Sequence, residues 1–507
     1  MLIRAQSRIK DLVSECKCAI GKRLATEFLL SIEKRISIRQ HKLNMQKAKN
    51  CIDQLTSDGK LNYIGLWKLK KKFCPRQQDP PMVKRDENRN LISTPQALKN
   101  LYLTTYRKRL SRRDMNPAFK CIFDLKTSLW NSRLTNISKI YSPEWTHSDL
   151  EKALSSLKNN KSRDANGMIN ELFKTECLGS DLRVALLHLF NGIKKYQTIP
   201  RFMTLSNITS IFKNKGSRDS LENDRGVFLQ TVVKRILEKL IYIGNYEAID
   251  QNMSDSNIGA RKNRSMRDHL FILYATINSV IKGKYESIDI QIYEIEKCFD
   301  SLWLEECFND IFDTLPDENR NDQISLLYKA NETNLVAVKT PVGLTDRVDL
   351  PFIVQQGGTW GSLICANSID TLGKQSRDTG NFTYLFREKI AIPPLGFIDD
   401  LTGIAKCGID SLELNVYLTT KIELKNLAFG KNKCARMHVG KQKCGCKYLK
   451  VHGYNMQEVS EFTYLGDLVS ADGRMNKNIK DRTNKGIGMI CKIFNILQSV
   501  SFGGNLA

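Results

Sequence analysis

The chain has 507 residues, 41% of them apolar and 26% charged, and its net charge is +24. That length implies roughly three or four domains or subdomains, with apolar content ample for a core. Fourteen cysteines without a small-domain framework argue against a disulfide scaffold and for reduced thiols, and no uninterrupted apolar run reaches membrane-spanning length.

The charge is placed unevenly. Residues 1–120 hold 28 Lys and Arg against 10 Asp and Glu, whereas the remaining 387 hold 50 against 44. A basic flank on a near-neutral body is the footprint expected of a phosphate-backbone binder. A membrane surface or an acidic protein is the other kind of partner such charge suits. Met1 to Arg8 lacks the apolar core of a signal peptide. The expectation is an intracellular chain, in nucleus and cytoplasm, with no membrane association.

Residues 1–55 set apolar side chains at helical spacing among basic ones (Ile9, Leu12, Val13; Leu29, Leu30, Ile32, Ile36), which predicts basic amphipathic helices. Trp67 and Phe73 stand among Lys68, Lys70, Lys71 and Lys72, a mix typical of nucleic-acid surfaces. The Pro-, Asp- and Asn-rich stretch 75–95 reads as a linker. A second basic run, Arg107 to Arg113, precedes a boundary near 140. From about 141 the pattern mixes helix and strand. Helices are predicted over 148–157, 227–243 and 265–281, with a polar, turn-rich loop at 158–167. Ile288, Ile290 and Ile292 alternate with polar or amphipathic residues, which predicts a half-buried strand over 287–296. Beyond Gly466 the chain is polar until an apolar helix at 486–497. Cys434, His438, Cys444 and Cys446 lie close in sequence, but their spacing matches no common zinc pattern.

Asp399–Asp400 is the only Asp-Asp dipeptide in the chain. Apolar residues run up to it and resume after it, so the pair reads as the two-residue turn of a β-hairpin. A solvated acidic turn has the same local sequence. Adjacent carboxylates repel unless something positive neutralises them. Two Mg²⁺ ions suit carboxylate oxygens, as in two-metal phosphoryl-transfer sites. A third carboxylate is then needed beside the hairpin. Glu294 continues the isoleucine face at the end of the 287–296 strand, where a carboxylate is costly unless paired or bound to metal. Asp289 lies on the opposite face by parity.

Tyr293-Glu-Ile-Glu-Lys-Cys-Phe-Asp300 resembles the first catalytic block of reverse transcriptases from non-LTR (LINE-type) retrotransposons, and Phe397–Asp400 resembles their third. Six further stretches are similar to the family's remaining blocks, in order. They are 161–167, with Asp164 and Asn166 departing from the pattern; 211–216 with 223–229; 257–265; 356–362; the pair Lys431 and Lys433; and 462–466. The resemblance implies an α+β right-hand polymerase. Its fingers-rich part is 141–285, its palm 286–440, and its primer grip and truncated thumb 441–507. A basic helical extension (1–75) and a linker with connecting helices (76–140) precede them. The implied activity is RNA-directed DNA polymerisation onto a primer 3′-hydroxyl, with an RNA template, a DNA primer or target, dNTPs and two Mg²⁺ ions.

Roles follow residue by residue from the resemblance. Glu294, Asp399 and Asp400 would hold the metals. Lys213 and Arg225 would contact the triphosphate, a task that suits a planar Arg fork. Phe299 would exclude a ribose 2′-hydroxyl, or serve as a core aromatic. Gln356 and Gly357 would let template and nucleotide approach the backbone. Lys433 would act as general acid towards pyrophosphate. Arg261 and Arg264 would grip the template, and Tyr464, Leu465 and Gly466 the primer end.

The family has Asp where this chain has Glu294. The extra methylene displaces the carboxylate by about 1.5 Å, and a misplacement on the order of 1 Å can cost about 100-fold in rate. The expectation is impaired polymerisation. The alternative is a catalytically inactive, nucleic-acid-binding remnant of a retroelement. A third reading is a template-copying RNA polymerase with the same palm, against which Phe299 argues. Nothing in 1–120 resembles the endonuclease such elements carry upstream, and the chain reads as a fragment of the element's polyprotein. The residues carry no reading of oligomeric state.

Overall fold

The computed structural model describes residues 83–111, 117–174, 179–283, 287–350, 354–441, 449–484 and 486–488. The chain divides into two units, 1–78 with 479–507 and 79–478, and the described residues lie almost wholly in the second. The helices expected over 1–55, the Trp67 cluster and most of the helix expected at 486–497 lie outside the described residues.

The unit 79–478 mixes α and β structure, as expected of an α+β chain, with helices packed around two five-stranded sheets. In chain order, strands β1 (Leu205–Phe212) and β2 (Asp224–Gln230) precede β3 (Ile288–Glu294). Strand β4 (Leu335–Thr340) returns to the first sheet, where β1 pairs antiparallel with β2 and parallel with β4. The hairpin of β5 (Leu395–Phe397) and β6 (Asp400–Lys406) joins β3, and β7 (Ala435–Val439) flanks β3 on its other edge. All of these last contacts are antiparallel, so β3 lies at the centre of the second sheet.

The alternation read from the isoleucines sets the two faces of β3. Ile288 and Ile290 pack with Leu270, Leu273 and Ile277 of helix Met266–Lys282. On the other side Tyr293 joins a core shared with Leu414 and Leu418 of helix Ile409–Leu424. The first face buries an aliphatic layer under its helix, and burial of this kind is the main stabilising term, whereas the second carries the buried polar side chains Asp289 and Gln291 beside Tyr293. Helix Met266–Lys282 starts at Ser265, whose side chain forms a capping box with Asp268. That fixes where the preceding loop 257–264 ends.

Three local expectations are corrected. Residues 227–230 belong to β2, and the helix begins only at Val232 and runs to Asn252. Val227, Phe228 and Leu229 pair with Thr209, Ile208 and Asn207, so a distant strand captures residues that continue the helical pattern locally, and Thr231 caps the helix behind them. The stretch 83–95 is not simply a linker: it forms a short hairpin, Lys84–Arg85 with Leu91–Ile92. Lys84 is buried there, 3.3 Å from the Asp224 carboxylate, which pins it to β2. Helix Pro95–Leu110 then packs Tyr102 and Tyr106 on Ile208, Phe228 and Val336. Thirdly, the hairpin turn is Ile398–Asp399, because Phe397 pairs with Asp400 and Asp400 is already strand. Among the described residues no helix is long and apolar enough to cross a membrane.

Candidate active site

The register places Asp400 directly across from Glu294 on β3, so both side chains project from the same face of the sheet. Asp399 occupies the turn, and its carbonyl accepts a hydrogen bond from the Ile295 amide at 3.0 Å. Burial raises the Asp399 carboxyl above the usual carboxylate range, and Glu294 raises it further. Burial first, and then the charges of Asp399 and Glu294, push Asp400 up to about 7. The donors are all carboxylate, and neighbouring negative charge destabilises the charged forms of Asp399 and Asp400, which suits a hard divalent cation.

Glu294 already has a cationic partner. Gly430 N–H donates to the Glu294 carbonyl at 2.9 Å, and Lys433 N–H donates to the Gly430 carbonyl at 3.0 Å. This turn brings the Lys433 ammonium onto the Glu294 carboxylate. The three carboxylates are not gathered into a compact cage. Among the described residues the only grouping of three His, Cys, Asp or Glu ligand atoms within 4.8 Å lies elsewhere in the sheet. Because Asp400 holds a proton below about pH 7, Mg²⁺ affinity is expected to fall about tenfold per pH unit below that point. Calorimetric Mg²⁺ titrations between about pH 6 and pH 8 check this, and an affinity independent of pH contradicts it.

The cationic side of the site comes from the first sheet. Lys213 follows β1, and its amide donates to the Asn223 carbonyl at 2.8 Å. Burial lowers the Lys213 pKa, as do the nearby charges of Arg109 and Arg225. Arg225 is exposed on β2 and lies close enough to stabilise the Asp399 carboxylate. Arg225 and Lys433 therefore lie within electrostatic reach of the acidic cluster, and Lys213 within reach of both cations and of Asp300. Phe299 lies on the short helix Cys298–Ser301, half-buried against the main core.

The Gln356–Gly357 loop crosses β2. Gln356 carbonyl accepts from the Phe228 amide at 2.9 Å. Gly357 has φ +102°, and a Cβ there would come within 3.0 Å of Val227 and 3.1 Å of the Phe228 carbonyl, so no other residue fits without a shift. Behind the loop lies a cavity of about 530 Å³ lined in part by Lys158, Lys161, Arg235, Lys239 and Gly357. Lys239 and Lys262 both lie over the ring of Tyr242, and Lys262 also covers Tyr246 at 4.3 Å. This cation–aromatic ladder continues the basic lining towards the 257–264 loop.

That loop holds the acidic hairpin by its backbone. Gly396 N–H donates to Ser256 carbonyl at 2.9 Å, and Ile258 N–H donates to Gly396 carbonyl at 3.1 Å. Gly259 lies against the turn itself. A Cβ at Gly259 would meet the Ile398 nitrogen at 2.5 Å. Ile398 has φ +59°, a left-handed conformation that costs a β-branched residue about 1–2 kcal/mol, and the packing around it must hold it there. Gly259→Ala is therefore expected to lower any activity about 100-fold by displacing the turn, with little change in nucleic-acid affinity. Equal turnover in the Gly259→Ala variant contradicts this arrangement.

Arg261 differs from its expected role. It is buried and spends its guanidinium on Asp250, on the Asp250, Ser254 and Asn257 carbonyls, and so on folding the loop. Arg264 is exposed beside Asp255 at 2.6 Å. Tyr464 is buried at the end of strand Glu461–Tyr464. Leu465 and Gly466, both left-handed, form the two-residue turn to Asp467–Ser470.

His269 was not anticipated. Its Nδ1 lies 2.9 Å from the Tyr464 hydroxyl and its Nε2 lies 3.0 Å from the Ser256 carbonyl. Burial lowers its pKa to about 4, so the neutral ring donates from Nε2 and accepts the Tyr464 proton at Nδ1. It thereby links the Tyr464 hairpin to the loop that grips the Ile398–Asp399 turn. A histidine sharing the helical spacing of Leu273 and Ile277 was the available signal. No protein-family model and no curated protein matches the chain.

Proposed function

We propose that the chain is the RNA-directed DNA polymerase of a non-LTR retrotransposon, with a right-hand arrangement of fingers and palm. The observation that carries this reading is the pairing of Asp400 with Glu294 across two strands, with Asp399 in the adjoining turn, Arg225 and Lys433 within electrostatic reach of them, and Lys213 near those two cations. The ordered resemblance of eight sequence blocks supplies the reaction class.

Glu294, Asp399 and Asp400 would hold Mg²⁺, which when bound supplies charge neutralisation at the primer 3′-oxygen and at the leaving pyrophosphate. Lys213 and Arg225 bind and orient the triphosphate, and their charge favours the electron-rich transition state. Lys433 would give a proton to pyrophosphate once its ammonium leaves Glu294. Phe299 fills the space beside the nucleotide sugar and selects deoxyribose. Template RNA and primer DNA lie on the basic surfaces that include Lys239, Lys262 and Arg264.

Extension of a DNA primer on an RNA template, with dNTPs and NTPs compared, tests this reading. Growth with dNTPs and its loss with NTPs is expected, with Phe299→Ala admitting NTPs. Growth with NTPs alone contradicts it. The Lys433–Glu294 ion pair favours a second reading, a retroelement remnant that binds nucleic acid without copying it, because the ammonium takes a carboxylate that metal would need.

A further inference from the structure

We propose that Asp289, Cys407 and His438 form a site for a thiolate-binding divalent metal of the zinc class, independent of the polymerase reading. The Asp289 carboxylate, the Cys407 sulfur and His438 Nδ1 all lie within 4.8 Å of one another. Cys407 Sγ is 3.2 Å from His438 Nδ1, which is 3.2 Å from Asp289 Oδ1. Ligand atoms around a tetrahedral zinc stand about 3.4–3.6 Å apart, given metal–ligand distances of about 2.0–2.3 Å. The two His438 separations need little adjustment, and the Cys407–Asp289 separation lies within 4.8 Å.

The backbone builds this convergence. His438 on β7 pairs directly with Asp289 on β3, and Ala405 of β6 pairs with Asp289 from the other side. Cys407 follows two residues later, on the same side by parity, and its amide donates to the Ser287 carbonyl at 3.0 Å. Three neighbouring strands thus each send one ligand to one point. Asp289 and Glu294 are five residues apart on β3, so this cluster and the acidic site lie on opposite faces.

The chemistry of the cluster also favours a cation. His438 Nδ1 faces both Asp289 and Cys407, and one ring nitrogen either donates to the carboxylate or accepts from the thiol. It cannot do both, so the contacts do not form a Cys–His–Asp proton relay, which needs both ring nitrogens. A divalent ion satisfies carboxylate, imidazole and sulfur together. On binding, the Cys407 S–H bond breaks, its proton leaves to solvent and the sulfur electron pair goes to the metal. Arg436 neighbours His438 on the same face of β7, and its Nε lies 2.9 Å from the same Asp289 Oδ1 that His438 approaches, so it holds that carboxylate in place as outer partners of metal ligands do. Sulfur ligation selects zinc or cobalt over magnesium. The ion would clasp the end of β6 that lies opposite Asp400.

Titration of the full-length, reduced and chelator-treated protein with Co²⁺ tests the site. The wild type is expected to develop a thiolate-to-cobalt charge-transfer band that Zn²⁺ abolishes and Mg²⁺ leaves intact. Cys407→Ser and, separately, His438→Gln are each expected to bind one equivalent less. Zn²⁺ should raise the melting temperature of the wild type and of Asp400→Asn, but not of Cys407→Ser. An undiminished band and stoichiometry in Cys407→Ser overturn the proposal. His438 is partly exposed, so His438→Gln decides in the same way should the serine variant fail to fold.

Discussion

Replacing Asp400 with Asn is expected to stabilise the protein while removing nucleotide incorporation. Asp400 is half-buried, and burial with the charges of Asp399 and Glu294 pushes its carboxyl up to about 7. The folded chain therefore holds a proton that the unfolded chain loses near the ordinary carboxylate value. Stability from this group is present at low pH and declines as pH rises towards about 7. An amide of the same shape carries no charge to penalise. After discounting for solvent screening, the gain above that pH is about 1–2 kcal/mol. Thermal unfolding at about pH 8 should give a higher Tm for Asp400→Asn, and the difference should vanish near pH 4. Incorporation should fall by about 1,000-fold or more, since several kcal/mol of charge stabilisation depend on the carboxylate. A lower Tm together with intact incorporation would show that Asp400 is an ordinary surface residue.

Glu294→Asp is expected to act in the opposite direction on rate. The shorter side chain moves the carboxylate back by about 1.5 Å and away from the Lys433 ammonium that now engages it. Restoring placement on the order of 1 Å is worth about 100-fold, so incorporation by this variant should exceed that of the wild type by roughly 10- to 100-fold. Lys433→Ala separates the two causes. If the ion pair alone holds activity down, removing the ammonium should raise Mg²⁺ affinity in the wild-type background. If carboxylate position is the cause, only Glu294→Asp should raise the rate. A variant no faster than the wild type would remove Glu294 as the weak point.

What was legible in the sequence was local or periodic. The alternation of Ile288, Ile290 and Ile292 located β3 and put Glu294 and Asp289 on opposite faces. The apolar flanks of Asp399–Asp400 marked a hairpin. The one-residue offset of its turn was not legible, because Gly259, some 140 residues upstream, packs on Ile398 and helps set it. The same limit applies to 227–230, whose strand character depends on β1. It applies also to Lys433, which meets Glu294 from 139 residues away. Arg261 has the same sequence appearance as Arg264, yet Asp250 and three backbone carbonyls draw it inside. Charge alone did not distinguish a loop-folding arginine from a surface one. His269 was hidden for a related reason, since its hydroxyl partner Tyr464 lies 195 residues away in the chain.

The most direct measurement is single-nucleotide incorporation on a primed RNA template under Mg²⁺ titration, comparing wild type, Glu294→Asp and Asp399→Asn. The predicted result is metal-dependent addition of one dNMP, slow in the wild type, faster in Glu294→Asp and lost in Asp399→Asn. No addition by the wild type or by Glu294→Asp at any Mg²⁺ concentration would contradict the polymerase reading and leave the nucleic-acid-binding remnant.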